Sequence, residues 1–154
     1  MSTDTSITVQ RTIDAPSHVV FDVLSNPARH PELDGSGFVV SDERSDRITA
    51  AGQVFRMNMT GEHMGGDYQT DNTVTGYEKN HLLAWQTAPA DTDPPGWEWV
   101  WQLEAQGSDS TAVTLTYDWG KVTDTDLLAK IGFPLVPASA LEDSLGNLAS
   151  AVSS

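Results

Sequence analysis

Hydrophobic and polar positions alternate along most of this chain, and changes in their period mark out its elements. Over residues 7–14, Ile7, Val9 and Ile13 share one parity while Thr8, Gln10 and Thr12 hold the other. This predicts a half-buried strand, with Arg11 an exception on the apolar side. Pro16 suits the first turn of a helix, where its missing N–H costs nothing. Val19, Val20, Val23 and Leu24 then recur at helical spacing, with Phe21 on a flank. Asn26-Pro27 ends this helix and caps a second, very short one, expected to stop before His30-Pro31.

After Gly35 and Gly37 the period returns to two. Residues 38–42, 53–60, 68–77, 82–87, 97–103 and 112–119 read as strands. Gly61, Gly65-Gly66, residues 78–80, 93–96 and 107–109 separate them, and Gly65-Gly66 reads as a tight connection needing positive φ. Connections this short predict an antiparallel meander. Residues 124–130 read as a helix stopped by Gly132 and Phe133-Pro134. Between Ser139 and Val152, Leu141, Leu145, Leu148 and Val152 form one apolar stripe. Ser139 and Glu142 have the spacing of a capping box, and Asp143, Ser144, Asn147 and Ser150 are assigned to the opposite, polar face. No internal repeat or low-complexity linker interrupts the chain, so residues 1–154 are expected to form one domain. The predicted class is α+β: a curved seven-stranded antiparallel sheet around a C-terminal helix, with two short helices after the first strand.

Charge narrows the choice of partners. The 154 residues carry 22 Asp and Glu against 8 Lys and Arg, a formal net charge of −14. Such a surface repels phosphate backbones and anionic lipid, so neither nucleic acid nor a membrane is an expected partner. With no cysteine, disulfide and thiolate chemistry are excluded. The polar N-terminus and the lack of a membrane-length apolar run make a soluble, cytoplasmic protein the expectation.

Several stretches together resemble the SRPBCC superfamily, the group of START lipid-transfer domains, pollen-allergen-like proteins and polyketide cyclases or dehydrases. They are Ile13-Asp14-Ala15-Pro16, Val20-Phe21-Asp22-Val23-Leu24-Ser25 and Pro27-Ala28-Arg29-His30-Pro31-Glu32. Met64-Gly65-Gly66-Asp67-Tyr68, Leu83-Ala84-Trp85, the stretch from Thr114 to Trp119 and that from Leu128 to Pro134 continue the likeness. The resemblance implies the helix-grip fold. For function it implies a scaffold shared by binders, carriers and enzymes.

The strongest local feature is Trp97-Glu98-Trp99-Val100-Trp101, which projects three indoles from one face of a strand. They read either as an aromatic pocket wall or as core packing under the terminal helix. Phe55, Met57 and Met59 share a parity that suits an adaptable apolar wall or ordinary core filling. The expected ligand-binding residues are Phe55, Met57, Met59, Trp85, Trp97, Trp99, Trp101 and Tyr117, with Leu141 and Leu145 of the terminal helix as cover; Trp119 follows the same logic.

Candidate acid–base groups are sparse. If Phe55 and Met57 point inward, Arg56 is an outward, solvated charge. In the reverse arrangement it is a buried cation able to polarise a carbonyl or hold a carboxylate, and so a candidate for catalysis beside His30 and Asp34. His30 and Asp34 read as residues that cap and order a surface loop, with proton transfer as the other reading. His30, Glu32, Asp34 and His63 lack a metal-ligand spacing, and His18 and His81 read as surface residues. Ser17, Ser25 and Ser36 have no nucleophile setting, and no loop forms a phosphate cradle. No catalytic residue, metal or cofactor is assigned.

Three functions remain open: a binder of a hydrophobic small molecule (polyketide-like, aromatic or lipid-derived), a polyketide cyclase or dehydratase acting in the same cavity, and an interaction module using its surface.

Overall fold

The computed structural model describes residues 6–35, 38–43, 46–61, 65–92, 96–123, 126 and 136–153. The elements are β1 (Ser6–Ile13), α1 (Ser17–Leu24), a 3-10 turn (Pro27–Arg29), α2 (His30–Leu33), β2 (Val39–Asp42), β3 (Val54–Gly61), β4 (Gly66–Glu78), β5 (Leu82–Pro89), β6 (Glu98–Ala105), β7 (Thr111–Asp118) and α3 (Ala138–Ser153). The helix expected over 124–130, apart from Asp126, lies outside the described residues, as do its stop at Gly132 and Phe133-Pro134, and Ser36, Gly37, His63, Met64 and the loop 93–95.

The seven described strands form one antiparallel sheet in the order β1-β7-β6-β5-β4-β3-β2. β2 to β7 make the expected meander, and β1 adds along β7. Directly paired residues share a face, so the register sorts side chains into two sets. Phe55 pairs with Asn72, Asn72 with Thr87, Trp85 with Trp99, and Trp99 with Tyr117. These share the inner face with Met57, Trp101, Leu115 and Val9, while Arg56, Asp71 and Glu98 take the outer one.

A bulge interrupts the alternation. Val74 pairs with Trp85 and Gly76 with Ala84, which leaves Thr75 as an extra residue in β4. The insertion reverses parity and turns Tyr77 inward, where it meets Phe21 of α1 edge to face at 5.5 Å.

The core joins α1, α3 and the inner face. Val20, Leu24, Leu83, Val113, Leu141, Leu145 and Leu148 are all at most 2 % exposed. The α3 helix lies against β1 and, less extensively, β7, and touches α1 and α2. Arg11 shares the inward parity of β1 yet stays exposed, beside the helix at Gly146.

Three local expectations are corrected, and one short helix is added. Pro16 is extended and precedes α1, whose first turn closes on its carbonyl. Asn26 does cap the 3-10 turn, accepting from the Ala28 N–H at 3.2 Å. That turn ends at Arg29, before His30-Pro31 as expected, and a further helix not read from the sequence, α2, begins at His30, since Pro31 occupies the first turn where an N–H would be unpaired anyway. Ser139 lies inside α3, which begins at Ala138 and closes on the Pro137 carbonyl, so no capping box forms. Finally, Ser144 and Asn147 do not face solvent. The Ser144 hydroxyl receives the Gly35 N–H at 2.9 Å, and the Asn147 amide donates to the Leu33 carbonyl at 3.2 Å. The polar side of α3 is thereby the seat of α2.

The glycines at the β3–β4 connection have φ of 79° at Gly65 and 126° at Gly66, the left-handed conformation expected of them.

Candidate functional site

The inner face is unevenly covered. Trp101, Tyr117, Phe55 and Met57 are buried, whereas Trp85, Trp97, Trp99 and Met59 are only half-buried against the same core. Leu141 and Leu145 are buried on α3, whose packing favours the β1 side of the sheet. The result is an aromatic surface across β5, β6 and β7, flanked by α2 on one side. Trp99 stacks on Tyr117 with centroids 4.2 Å apart and planes 7° apart, and Tyr117 meets Trp119 at 5.2 Å. Two rings stacked this way present a flat, rigid wall. Among the described residues the buried Trp101 Nε1 has no hydrogen-bond partner. An orphaned donor of this kind costs about 1–3 kcal/mol until an acceptor reaches it.

His30 sits where a loop residue was expected to face solvent. It is 8 % exposed, stacked on Trp85 (5.1 Å, 19°) and edge-on to Phe55 (5.4 Å, 82°). Its burial follows from α2 starting one residue before Pro31, which lays the imidazole over the sheet. His30 Nε2 lies 2.8 Å from the Leu24 carbonyl. A carbonyl only accepts, so this contact assigns the proton to Nε2 and leaves the lone pair on Nδ1. Nδ1 bonds to no described residue.

Desolvation holds the His30 pKa below its ordinary 6.5, against smaller raising pulls from the Leu24 carbonyl, Asp42 and Asp34. Between the lowered value and 6.5 the unfolded chain binds more protons here than the folded one. The residue therefore favours folding fully above pH about 6.5 and progressively less as pH falls. Urea unfolding of the wild type and His30→Gln at pH 7 and pH 5 should show the stability gap between them shrinking on acidification. A gap that stays constant would contradict a buried neutral imidazole.

Polar side chains missed in the sequence complete this end of the face. Thr70, Asn72 and Thr87 are buried and linked: Thr87 donates to Asn72 Oδ1 at 2.7 Å, and the Asn72 amide donates to the Phe55 carbonyl at 3.2 Å and to Thr70 at 3.4 Å. Nearby Tyr68 has its phenol pushed up to about 12 by desolvation and the Asp34 charge. The common parity of Tyr68, Thr70 and Asn72 was the available signal, but polar residues on one strand face read as solvent-exposed until pairing with Phe55 and Met57 places them inside.

The remaining candidates separate. Asp34 orders the loop as expected, accepting from the Val39 N–H at 3.1 Å. Arg56 points outward but is not simply solvated. It forms a bidentate pair with Asp71 at 2.7 and 3.0 Å and reaches Asp91 at 2.8 Å. These bonds hold its pKa above, and the Asp71 pKa below, their ordinary values. A polar cleft of about 720 Å³ opens beside this network, lined by Arg47, Gln53, Arg56 and Asp71 among others, on the face away from the aromatics. Glu32 pairs with Arg29 at 3.0 Å, and His18 and His81 are exposed. Among the described residues no three His, Asp or Glu converge as metal ligands, and no helix is long and apolar enough to cross a membrane.

Comparison with known proteins adds family context. A family model described as polyketide cyclase / dehydrase and lipid transport matches residues 4–153. The uncharacterized protein Rv0088 of Mycobacterium tuberculosis is 31% identical over 113 residues, covering 72% of this chain and 47% of its own. The chain thus spans about half the length of the curated relatives it matches. Among solved structures, a protein from Arthrobacter aurescens superposes with a TM-score of 0.70 at 15% identity, covering 97% of this chain and 86% of that one. The ZhuI aromatase/cyclase from Streptomyces sp. R1128 superposes with a TM-score of 0.68 at 12% identity, covering 96% and 93%. These two likenesses speak to the fold, which is the helix grip.

Proposed function

Because the chain belongs to the polyketide cyclase / dehydrase and lipid transport family, we propose that it binds a hydrophobic small molecule between the sheet and the C-terminal helix. The site comprises Phe55, Met57, Met59, Trp85, Trp97, Trp99, Trp101 and Tyr117, with Leu141 and Leu145 as cover. The observation that carries this reading is the half-buried row Trp85, Trp97 and Trp99 on the inner face, apolar area that α3, seated mainly on β1, leaves partly open. On this reading residues 1–154 act as one domain in the cytoplasm, and the net charge of −14 disfavours nucleic acid and anionic membranes as partners.

Tryptophan fluorescence tests the site. Titration with an apolar aromatic such as naphthalene should quench emission saturably, and Trp99→Ala should weaken binding about tenfold by removing a stacking surface worth about 1–1.5 kcal/mol. Quenching that never saturates would reduce the contact to non-specific surface adsorption. Native mass spectrometry of protein purified from its own host would identify the natural ligand.

A second reading, a cyclase or dehydratase in the same cavity, draws support from His30, a neutral imidazole with an unprotonated nitrogen at the aromatic face. Arg56 drops out of it, being on the other face of the sheet. Loss of water from a bound β-hydroxyketone, abolished in His30→Gln, would favour this reading.

A further inference from the structure

The polar groups of the inner face narrow the ligand class within the binding reading just proposed, on which this inference rests. His30 is anchored at both ends of its environment: Nε2 is tied to the Leu24 carbonyl, and the ring lies on Trp85 with Phe55 against its edge. The imidazole has no freedom to exchange tautomers without losing the 2.8 Å bond, so Nδ1 is a fixed acceptor. An acceptor of this kind is matched by an O–H or N–H donor; an ether or ketone oxygen would instead face it lone pair to lone pair.

The direction of approach is also constrained. A donor meets Nδ1 in the imidazole plane, which lies 19° from the plane of Trp85. A flat molecule joined to Nδ1 through a group on its rim is therefore set to lie along Trp85, beside the Trp99–Tyr117 stack that pairs with it across the strands. The neighbouring row carries further unspent capacity. Thr70 accepts from Asn72 but passes its own proton to no described residue, and Thr87, having donated to Asn72, keeps its lone pairs. The Trp101 N–H, buried without a partner, is a donor awaiting an oxygen on the same face.

We propose that His30 is a specificity-determining residue, and that the site takes a flat aromatic ligand bearing a rim hydroxyl, a phenol, whose O–H is received by His30 Nδ1. Aromatic stacking supplies affinity, and the single fixed acceptor distinguishes hydroxylated from unsubstituted or O-alkylated ligands. Burial keeps the imidazole neutral at pH 7, so it competes for the phenol proton as an acceptor and forms no ion pair with a phenolate. The phenol proton stays on its oxygen, and no covalent step is involved.

Three probes of nearly one shape separate the terms: 2-naphthol, 2-methoxynaphthalene and naphthalene, titrated calorimetrically into the full chain at pH 7. In the wild type 2-naphthol should bind about tenfold more tightly than either of the others, the scale of one well-formed hydrogen bond. In His30→Phe the preference for 2-naphthol over the other two should disappear. Should that variant fail to fold, the ¹⁵N resonance of His30 Nδ1 in the wild type decides: it should shift on adding 2-naphthol and stay put on adding 2-methoxynaphthalene. Equal affinity for all three probes would overturn the role of His30 and leave the apolar binding site standing. Absence of saturable binding by any of them would overturn both.

Discussion

Replacing Leu148 by alanine is expected to lower the unfolding free energy by about 2–5 kcal/mol, a large share of the roughly 5–15 kcal/mol that a domain possesses. Leu148 is fully buried in α3, within the cluster that joins that helix to α1 and the inner face of the sheet. Truncation removes the transfer free energy of the lost carbons and leaves a cavity, because neighbours such as Leu145 and Leu141 belong to the same rigid helix and relax only partly. Ser150, exposed on the same helix, is the control, and its alanine variant should cost no more than about 1 kcal/mol. Urea denaturation followed by tryptophan fluorescence measures both. A Leu148→Ala midpoint indistinguishable from that of Ser150→Ala would mean that the helix is not part of the cooperative core.

The second large effect is expected at Gly35, between α2 and β2. A Cβ at this position would run into the carbonyl oxygen of Ala140, and would stand 2.8 Å from Asp143 Cβ and 2.9 Å from the Ser144 nitrogen. The obstacles belong to the backbone of α3 and to the Cβ next to it, so no flexible side-chain end can give way. The loop and the helix must separate, which also strains the Gly35 N–H bond to the Ser144 hydroxyl. Gly35→Ala should cost about 1–3 kcal/mol, the range for overpacking a closed contact. Ser144→Ala, which removes the hydroxyl but creates no collision, should cost less, about 0.5–1.5 kcal/mol. Because α2 carries His30, displacement of the loop should also alter the near-ultraviolet circular dichroism of Trp85. An alanine variant as stable as wild type, with an unchanged spectrum, would show that the loop does not rest on the helix as described.

Legibility in the sequence varied with the range of the interaction that decides each feature. Strand existence and order were readable because Ile7, Val9 and Ile13 or Phe55 and Met57 alternate with polar neighbours, and burial of one sheet face leaves this imprint locally. The Leu141, Leu145 and Leu148 stripe was readable for the same reason at helical period. Its polar side was misassigned: Ser144 and Asn147 are as polar as a solvated face requires, but their partners, Gly35 and Leu33, are about a hundred positions away in the chain. A side chain bonded to distant backbone has the same local pattern as one bonded to water.

The candidate site divides along the same line. The aromatic strand around Trp99 could be seen as a feature because three indoles at alternating positions are unusual in themselves. Its neighbours could not. The Thr75 bulge that turns Tyr77 inward has no local marker, and the inward placing of Thr70 and Asn72 depends on their register with β3. His30 was read as part of a surface loop because a proline follows it, yet that proline fits the first turn of α2 and the imidazole folds onto Trp85.

By itself, then, the amino-acid pattern determined the α+β class, the succession of strands, the amphipathic terminal helix and the acidic, cysteine-free character of the chain. These depend on periodicity and composition, which each segment carries alone. Tertiary structure alone decided that α3 is seated mainly on β1, that His30 is buried with one nitrogen tied to Leu24, that Arg56 is spent on Asp71 and Asp91, and that the half-buried tryptophans share a face with buried hydroxyls. Each of these is a pairing between residues remote in the chain. Its free energy depends on a geometry that only the closed sheet and its helices supply.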